Sequence, residues 1–241
     1  MASPNSGKLA VLIDADNAQA STIQELLAEV SRYGTASVKR AYGDWTTSNL
    51  KGWKDVLHKL AIQPMQQFSY TTGKNATDSS LIIDAMDLLH SGDLDGFCLV
   101  SSDSDFTRLA TRIREAGLSV YGFGEKKTPQ PFVAACDKFI YVEILKPQES
   151  PAAQVGQSIA PLEPMLRAAI DAAARDDGWS ALSGVGAMIL KNNPSFDSRN
   201  YGCPKLGELV RKQSYLEVKE VPASDGSASV QLFVRPKKPA R

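Results

Sequence analysis

The sequence predicts an α/β fold, a doubly wound and mostly parallel sheet with helices on both faces, followed by a smaller α+β domain. Three observations predict it. The first 145 residues alternate short apolar runs with amphipathic stretches, as strands buried on both faces and joined by crossover helices do. Residues 146–160, KPQESPAAQVGQSIA, lose that period and gain Pro, Gln, Ser and Ala, the composition of a linker. Beyond them come three helical stretches and two short strands. The expected organisation is therefore a domain over 1–145, a linker over 146–160 and a second domain over 161–241.

Strands are expected at 8–14, 36–43, 62–69, 96–101, 118–123 and 138–143. Between the first two, AQASTIQELLAEVSRYG sets Ile23, Leu26, Leu27 and Val30 on one helical stripe, with Gly34 as its terminator. TSNLKGWKDVLHKLA forms a second helix, and TDSSLIIDAMDLLHSG a third with Thr77 as its cap. The fourth, DFTRLATRIREAG, places Phe106, Leu109 and Ile113 at helical spacing and stops at Gly117. In the second domain helices are expected near 161–175, 180–192 and 203–212. YLEVKEV and SVQLFV then pair through a turn at Asp225-Gly226. Three helices and a hairpin outline a winged helix. Gly184 and Gly186 inside the second of these helices imply close backbone packing there.

Length and composition narrow the function. The 241 residues are 43% hydrophobic and 22% charged, ordinary for a globular protein with a sizeable core. No apolar run reaches the roughly 18 residues of a membrane span, and the polar start MASPNSGK lacks a secretory apolar core, so a cytoplasmic protein with no membrane partner is expected. Cys98, Cys136 and Cys203 are far apart and form no CxxC, which points to reduced thiols rather than zinc or disulfides. Residues 1–150 carry 15 basic and 18 acidic groups, whereas 151–241 carry 12 and 9. The second half thus has the mild positive balance that tolerates a polyanion.

Two strands end in acids. LAVLIDADNAQ runs into Asp14, Asp16 and Asn17, and CLVSSDSDF runs into Asp103 and Asp105. In an open parallel sheet ligands bind beyond the carboxyl ends of the strands, and the first turn of the third helix brings Asp78 to that same edge. Like charges about 4 Å apart repel by roughly 4 kcal/mol at an effective dielectric of 20, so convergence calls for a cation. An oxygen-only ligand set without His or Cys favours Mg²⁺ or Mn²⁺, ions suited to in-line displacement at phosphate. A plainer reading stands beside this one, in which Asp16, Asn17 or Asp105 caps the helix that follows. Capping does not account for Asp14 and Asp103 at the strand ends. Asp84, later in the third helix, points toward the site in this reading, and Asp87 faces solvent.

Four segments, VLIDADN, GKNATDSSLIIDAMDLL, CLVSSDSDF and VYGFGEKKTPQPFVAACDKFIYVE, resemble in order and spacing the NYN domain of LabA-like proteins, a branch of the PIN-like nucleases. The resemblance covers residues 8–145 and implies a PIN-like sheet, a Mg²⁺ or Mn²⁺ site and cleavage of RNA phosphodiesters. By motif position it makes Asp14, Asp78 and Asp103 the main carboxylates, Asp105 a supporting one, Asn17 an orienting amide and Asp84 the second acid of the helix motif. Residues 161–235, above all FDSRNYGCPKLGELV, are similar to the OST-HTH or LOTUS domain. That similarity implies a winged-helix-like module serving RNA or a protein partner in an RNA complex.

Other residues have readings on nucleic acid. Lys74 precedes Asp78 and would hold a phosphate, and Gly124, Lys126, Lys127 and Thr128 of GFGEKKTP follow a strand on the same edge. Exposed loop lysines, and glycines that only permit a sharp turn, are the plainer alternatives. Tyr42, Trp45 and Trp53 are stacking candidates, with Trp45 the better placed and Trp53 suited to core packing. Arg199, Lys205, Arg211 and Lys212 flank the last helix as phosphate contacts or a solvated basic face, whereas His58 and His90 receive no chemistry.

The expected function is a metal-dependent ribonuclease whose second domain brings RNA or a protein. Two rivals remain open: a non-catalytic RNA-binding scaffold that keeps a nuclease fold, and a phosphohydrolase using Asp14 as nucleophile.

Overall fold

Apolar runs that end in acids become the central strands of the sheet. The computed structural model describes residues 7–68, 76–145, 161–174, 177–222 and 230–237. By contacts the chain divides into units at residues 1–147 and 148–241. The first unit runs β1 (Lys8–Asp14), α1 (Ile23–Val30), β2 (Thr35–Gly43), α2 (Lys54–Lys59), β3 (Gln63–Gln66) and α3 (Ala76–Ser91). It continues with β4 (Gly96–Val100), α4 (Thr107–Glu115), β5 (Ser119–Gly124), α5 (Gln130–Ala135) and β6 (Lys138–Tyr141). The strand order is β3-β2-β1-β4-β5-β6, with every pairing parallel. The direction of winding therefore reverses between β1 and β4, which is where such sheets open a crevice.

Alternation along β1 builds two cores. Ala10 and Leu12 join Leu81, Phe97, Phe106 and Phe132 under α3, α4 and α5. Leu9, Val11 and Ile13 join Ile23, Leu26 and Trp53 under α1 and α2. Each fully buried Leu, Ile or Val contributes about 1.5–3 kcal/mol, so β1 is held from both sides. β1 and β2 slip register between Leu9 and Ala10, where partners jump from Ala36 to Val38. Ser37 fills the slip and donates its hydroxyl to the Leu9 carbonyl at 3.2 Å.

Some element ends differ from expectation. The first helical stretch opens as a 3-10 turn at Ala20–Thr22 and closes at Val30, four residues before Gly34. Gly34 is needed for a close approach, since a Cβ there would lie 2.3 Å from the Gly7 carbonyl oxygen. Gly117, at φ +85°, does end its helix as expected. Thr77 lies inside α3 rather than capping it. α5 has no counterpart among the expected elements, because it is six residues long with prolines at its start.

The second unit contains α6 (Leu162–Ala172), β7 (Ser180–Ala181), α7 (Leu182–Asn192), α8 (Leu206–Arg211), β8 (Leu216–Pro222) and β9 (Val230–Pro236). The two strands pair antiparallel as expected, and β7 extends them to a three-stranded sheet, β7-β9-β8. Buried Ser180 ties the short β7 to α6 by donating to the Ile170 carbonyl at 2.7 Å. Leu166, Ile170, Val185, Ile189, Val210 and Val234 form the core. Of the two α7 glycines only Gly186 is closely packed, with a Cβ there meeting Leu206 at 3.2 Å, while Gly184 has room. The expected linker 146–160 and the turn at Asp225-Gly226 lie outside the described residues. Among the described residues no helix is long and apolar enough to cross a membrane.

Candidate functional site

The crevice between β1 and β4 collects the acids. β1 delivers Asp14, fully buried, at its last position, where its backbone pairs with Tyr42 of β2. The Ala18 amide donates to the Asp14 carbonyl at 2.9 Å, folding the chain back over the strand end. That turn lets Asn17 Nδ2 donate to Asp14 Oδ2 at 2.7 Å, while Ser101 Oγ donates to the same oxygen at 2.8 Å. Asp14 Oδ1 is buried without a hydrogen-bond partner. Burial pushes the Asp14 carboxyl above its ordinary pKa, against the two donors, and the nearby charge of Asp16 adds to the rise.

Ser101 connects the two acidic loops. Its Oγ accepts the Asp103 amide at 3.1 Å while donating to Asp14. Asp103 then caps the 3-10 turn Ser104–Phe106, its Oδ1 accepting the Asp105 amide at 2.9 Å. The cap expected at Asp105 therefore belongs to Asp103. Gln19 and Thr22 stand at the cap positions of the first 3-10 turn and of α1, so neither Asp16 nor Asn17 caps there.

Across the crevice, the first turn of α3 presents Asp78. Carboxylate oxygens of Asp78, Asp103 and Asp105 all come within 4.8 Å of one another. Asp14 does not join that mutual group and sits buried beside it. Desolvation first, then the charges of Asp14, Asp103, Asp105 and Asp16, push the Asp78 carboxyl up to about 6. Concentrated negative charge with partial burial is what a cation would relieve. The donor set fits a hard divalent ion, being all oxygen, and the orphaned Asp14 Oδ1 is a further buried acceptor lacking a positive partner.

Asp84, expected to turn toward the site, instead faces β2. It pairs with Arg40 Nη1 through Oδ1 and accepts the Tyr42 hydroxyl on Oδ2. Tyr42 is wholly buried, which removes it as a base-stacking candidate. Its hydroxyl is raised far above the ordinary range, by burial first and then by the Asp84 carboxylate. Asp87 is exposed, as expected.

Trp53 is 3% exposed and belongs to the core. Trp45 is half-buried, edge-on to Trp53, with its indole N–H donated to the Met65 carbonyl at 3.1 Å. Lys74 lies outside the described residues. In the loop after β5, exposed Lys127 pairs with Glu125 at 2.7 Å, and the Lys126 amide donates to Glu143. Gly124 is fixed by close approach rather than by a turn, since a Cβ there would stand 2.6 Å from the Ser101 carbonyl oxygen. In the second unit Lys205 and Lys212 are exposed at the two ends of α8, Arg211 pairs with Glu220, and Arg199 is bound to Asp197. Sequence reasoning missed Ser101, whose signal was only its place between strand and acids in VSSDSD. It also missed Trp179, which lies under the Arg235 guanidinium at 4.4 Å.

Comparison with known proteins fits this arrangement. A family model of the NYN domain matches residues 8–144. The chain belongs to the NYN-domain family. In this NYN protein a model of the OST-HTH/LOTUS domain also matches, over residues 157–227. A protein of unknown function from Vibrio parahaemolyticus is 21% identical, with 58% of this chain and 94% of that one covered and a TM-score of 0.48. An uncharacterized protein from Nitrosomonas europaea is 31% identical over 40% of this chain and 92% of its own, with a TM-score of 0.31. A Chromobacterium violaceum fragment is 40% identical over 34% and 85%, with a TM-score of 0.28. No curated protein matches.

Proposed function

We propose that the NYN unit is a Mg²⁺- or Mn²⁺-dependent ribonuclease and that the OST-HTH unit brings it RNA or a protein bound to RNA. The observation that carries this reading is the mutual approach of Asp78, Asp103 and Asp105 beside the unpartnered, buried Asp14 Oδ1. These three carboxylates would hold the ion. When bound, a divalent ion lowers the pKa of its water and neutralises charge on a phosphate.

The chain's own groups supply order. Asn17 and Ser101 hold Asp14 in one rotamer by two donated hydrogen bonds, and Ser101 couples Asp14 to the Asp103 backbone. The Asp103 cap fixes the loop that carries Asp105. Arg40 and Tyr42 dock α3 against β2 through Asp84, so Asp78 rests on a helix anchored to the sheet. The RNA contacts at Lys126, Lys127, Trp45, Lys205 and Arg211 belong to this same proposal, as does Lys74.

The test is cleavage of a labelled single-stranded RNA by the full chain with Mg²⁺ or Mn²⁺. Activity is expected to vanish in EDTA and in Asp78→Asn and Asp103→Asn variants that still fold. Retention of RNA without turnover by the wild-type chain would replace the reading with that of a scaffold.

A further inference from the structure

Beside the loop that follows β1 lies a cleft of about 520 Å³. Its walls are the residues that follow Asp14 and the 3-10 helix Ser48–Trp53 that follows β2. Asp16, one wall, is two residues from Asp14, a span of at most about 7 Å. Its charge is felt by both Asp14 and Asp78. A ligand in the cleft is therefore within a nucleotide's reach of the acidic group. The volume lies within the range of pockets that enclose small organic ligands.

The lining decides what enters. Asp16 and Asp44 are acidic, Gln19 and Asn49 are amides, Leu50 and Trp53 are apolar, and no Lys, Arg or His is among the lining residues. Such a wall repels a phosphate. It suits an uncharged group with an apolar face and donor hydrogens at its edge, which describes a nucleoside: the base rests edge-on against the small exposed parts of Leu50 and Trp53 rather than stacking on a free ring, and amino or hydroxyl groups donate to Asp16, since Asp44 Oδ1 already accepts from Thr46 and Gln66. A ribose 2′-hydroxyl adds a donor that deoxyribose lacks. Gly52 borders this space, and a Cβ built there meets no atom within 4 Å, so a larger side chain has room to enter. The acids thus take the phosphate and the cleft takes its neighbour.

We propose that this cleft is the subsite for the ribonucleoside adjoining the scissile phosphate, and that it gives the protein its preference for RNA over DNA. The inference rests on the ribonuclease reading for its substrate, while the cleft itself can be tested without turnover. Gly52→Leu fills the cleft without a backbone conflict, and Asn49→Ala, at an exposed residue, removes one of its polar groups. In a Trp179→Phe background, where the remaining tryptophans are Trp45 and Trp53, adenosine, guanosine, cytidine and uridine are titrated in EDTA and fluorescence is read. At least one ribonucleoside is expected to change the emission, its 2′-deoxy form more weakly, and Gly52→Leu is expected to abolish the response. For RNA cleavage, Gly52→Leu should raise KM about tenfold or more with kcat and Mn²⁺ affinity little changed, the pattern of lost uniform binding.

Cleavage that requires Asp78 but is indifferent to Gly52→Leu and Asn49→Ala would overturn the subsite and leave the nuclease standing. Ribonucleoside binding lost in Gly52→Leu, in a chain that never cleaves, would support the cleft and remove the nuclease. Equal responses to ribo- and deoxyribonucleosides, or a response to inorganic phosphate alone, would overturn the proposed preference.

Discussion

Asp78→Asn should make the metal-free protein more stable at neutral pH, although it removes a residue from the proposed centre. Burial and four neighbouring carboxylates raise the Asp78 carboxyl from 3.8 to about 6. A folded-state pKa above the unfolded one means that ionised Asp78 works against folding. Below the unfolded value both states are protonated and no penalty exists. The penalty grows as pH rises from about 4 and is complete above about 6. At roughly 1.4 kcal/mol per unit the gap corresponds to at most about 3 kcal/mol, and partial solvent access reduces this to about 1–2 kcal/mol. Asp78 also sits in the first turn of α3, where a negative charge is favoured by about 0.3–1 kcal/mol. The net gain on neutralisation is therefore about 1 kcal/mol, or roughly 2–4 °C in melting temperature for a unit of this size.

The assay is thermal unfolding in EDTA between pH 4 and pH 8, followed by tryptophan fluorescence in a Trp179→Phe background so that the first unit is read. The variant should melt higher at pH 7–8, and the difference should shrink through pH 6 and be gone near pH 4. Mn²⁺ should raise the melting point of the wild type and leave Asp78→Asn much less affected, because a ligand stabilises only the state that binds it. An Asn variant no more stable than wild type at pH 7, or a gain that persists at pH 4, would refute the electrostatic account.

Other outcomes follow from the same contacts. Asp103→Asn should keep the cap on the Ser104–Phe106 turn and hold its melting temperature, whereas Asp103→Ala should lose about 1 kcal/mol, and cleavage should disappear in both. Ser101→Ala should cost about 1.5–3 kcal/mol by removing a donor from buried Asp14, measurable by urea unfolding at pH 7. Asp84→Ala should destabilise by about 2–3 kcal/mol, since it leaves the Arg40 guanidinium and the Tyr42 hydroxyl without their acceptor, and a weaker affinity for Mn²⁺ should accompany the loosened α3.

The sheet was legible because each parallel strand is an unbroken apolar run, and the edge that carries the site was legible because Asp14 and Asp103 end such runs. Strand and helix cores announce themselves through periodicity, which needs length. α5 and β7 were too short to show any, and the prolines around α5 further disguise it. Tyr42 looked like a surface aromatic at a strand end, yet its ring is buried and its hydroxyl is bound to an acid 42 residues away. No local pattern encodes a partner at that distance. Ser101 escaped notice for another reason: a serine carries no charge, and its importance arises only when folding sets it between two carboxylate loops.

The slip at Ser37 imposes an odd-even rule on the second strand. Ala36 packs on the α1 side and Val38 on the α3 side, although both would share one side in an uninterrupted strand. Removing Ser37 alone would restore plain alternation and leave the rest of the strand on its present sides, whereas drawing Ser37 into the ladder with the preceding half in place would turn everything after it over. In that straightened strand Lys39 and Ala41 would come beneath α3, and Asp84 would confront an alanine methyl in place of a phenol and a guanidinium. The slip thus stores one spare residue before Arg40, and the serine that sits out of the ladder keeps count for the helix that carries Asp78.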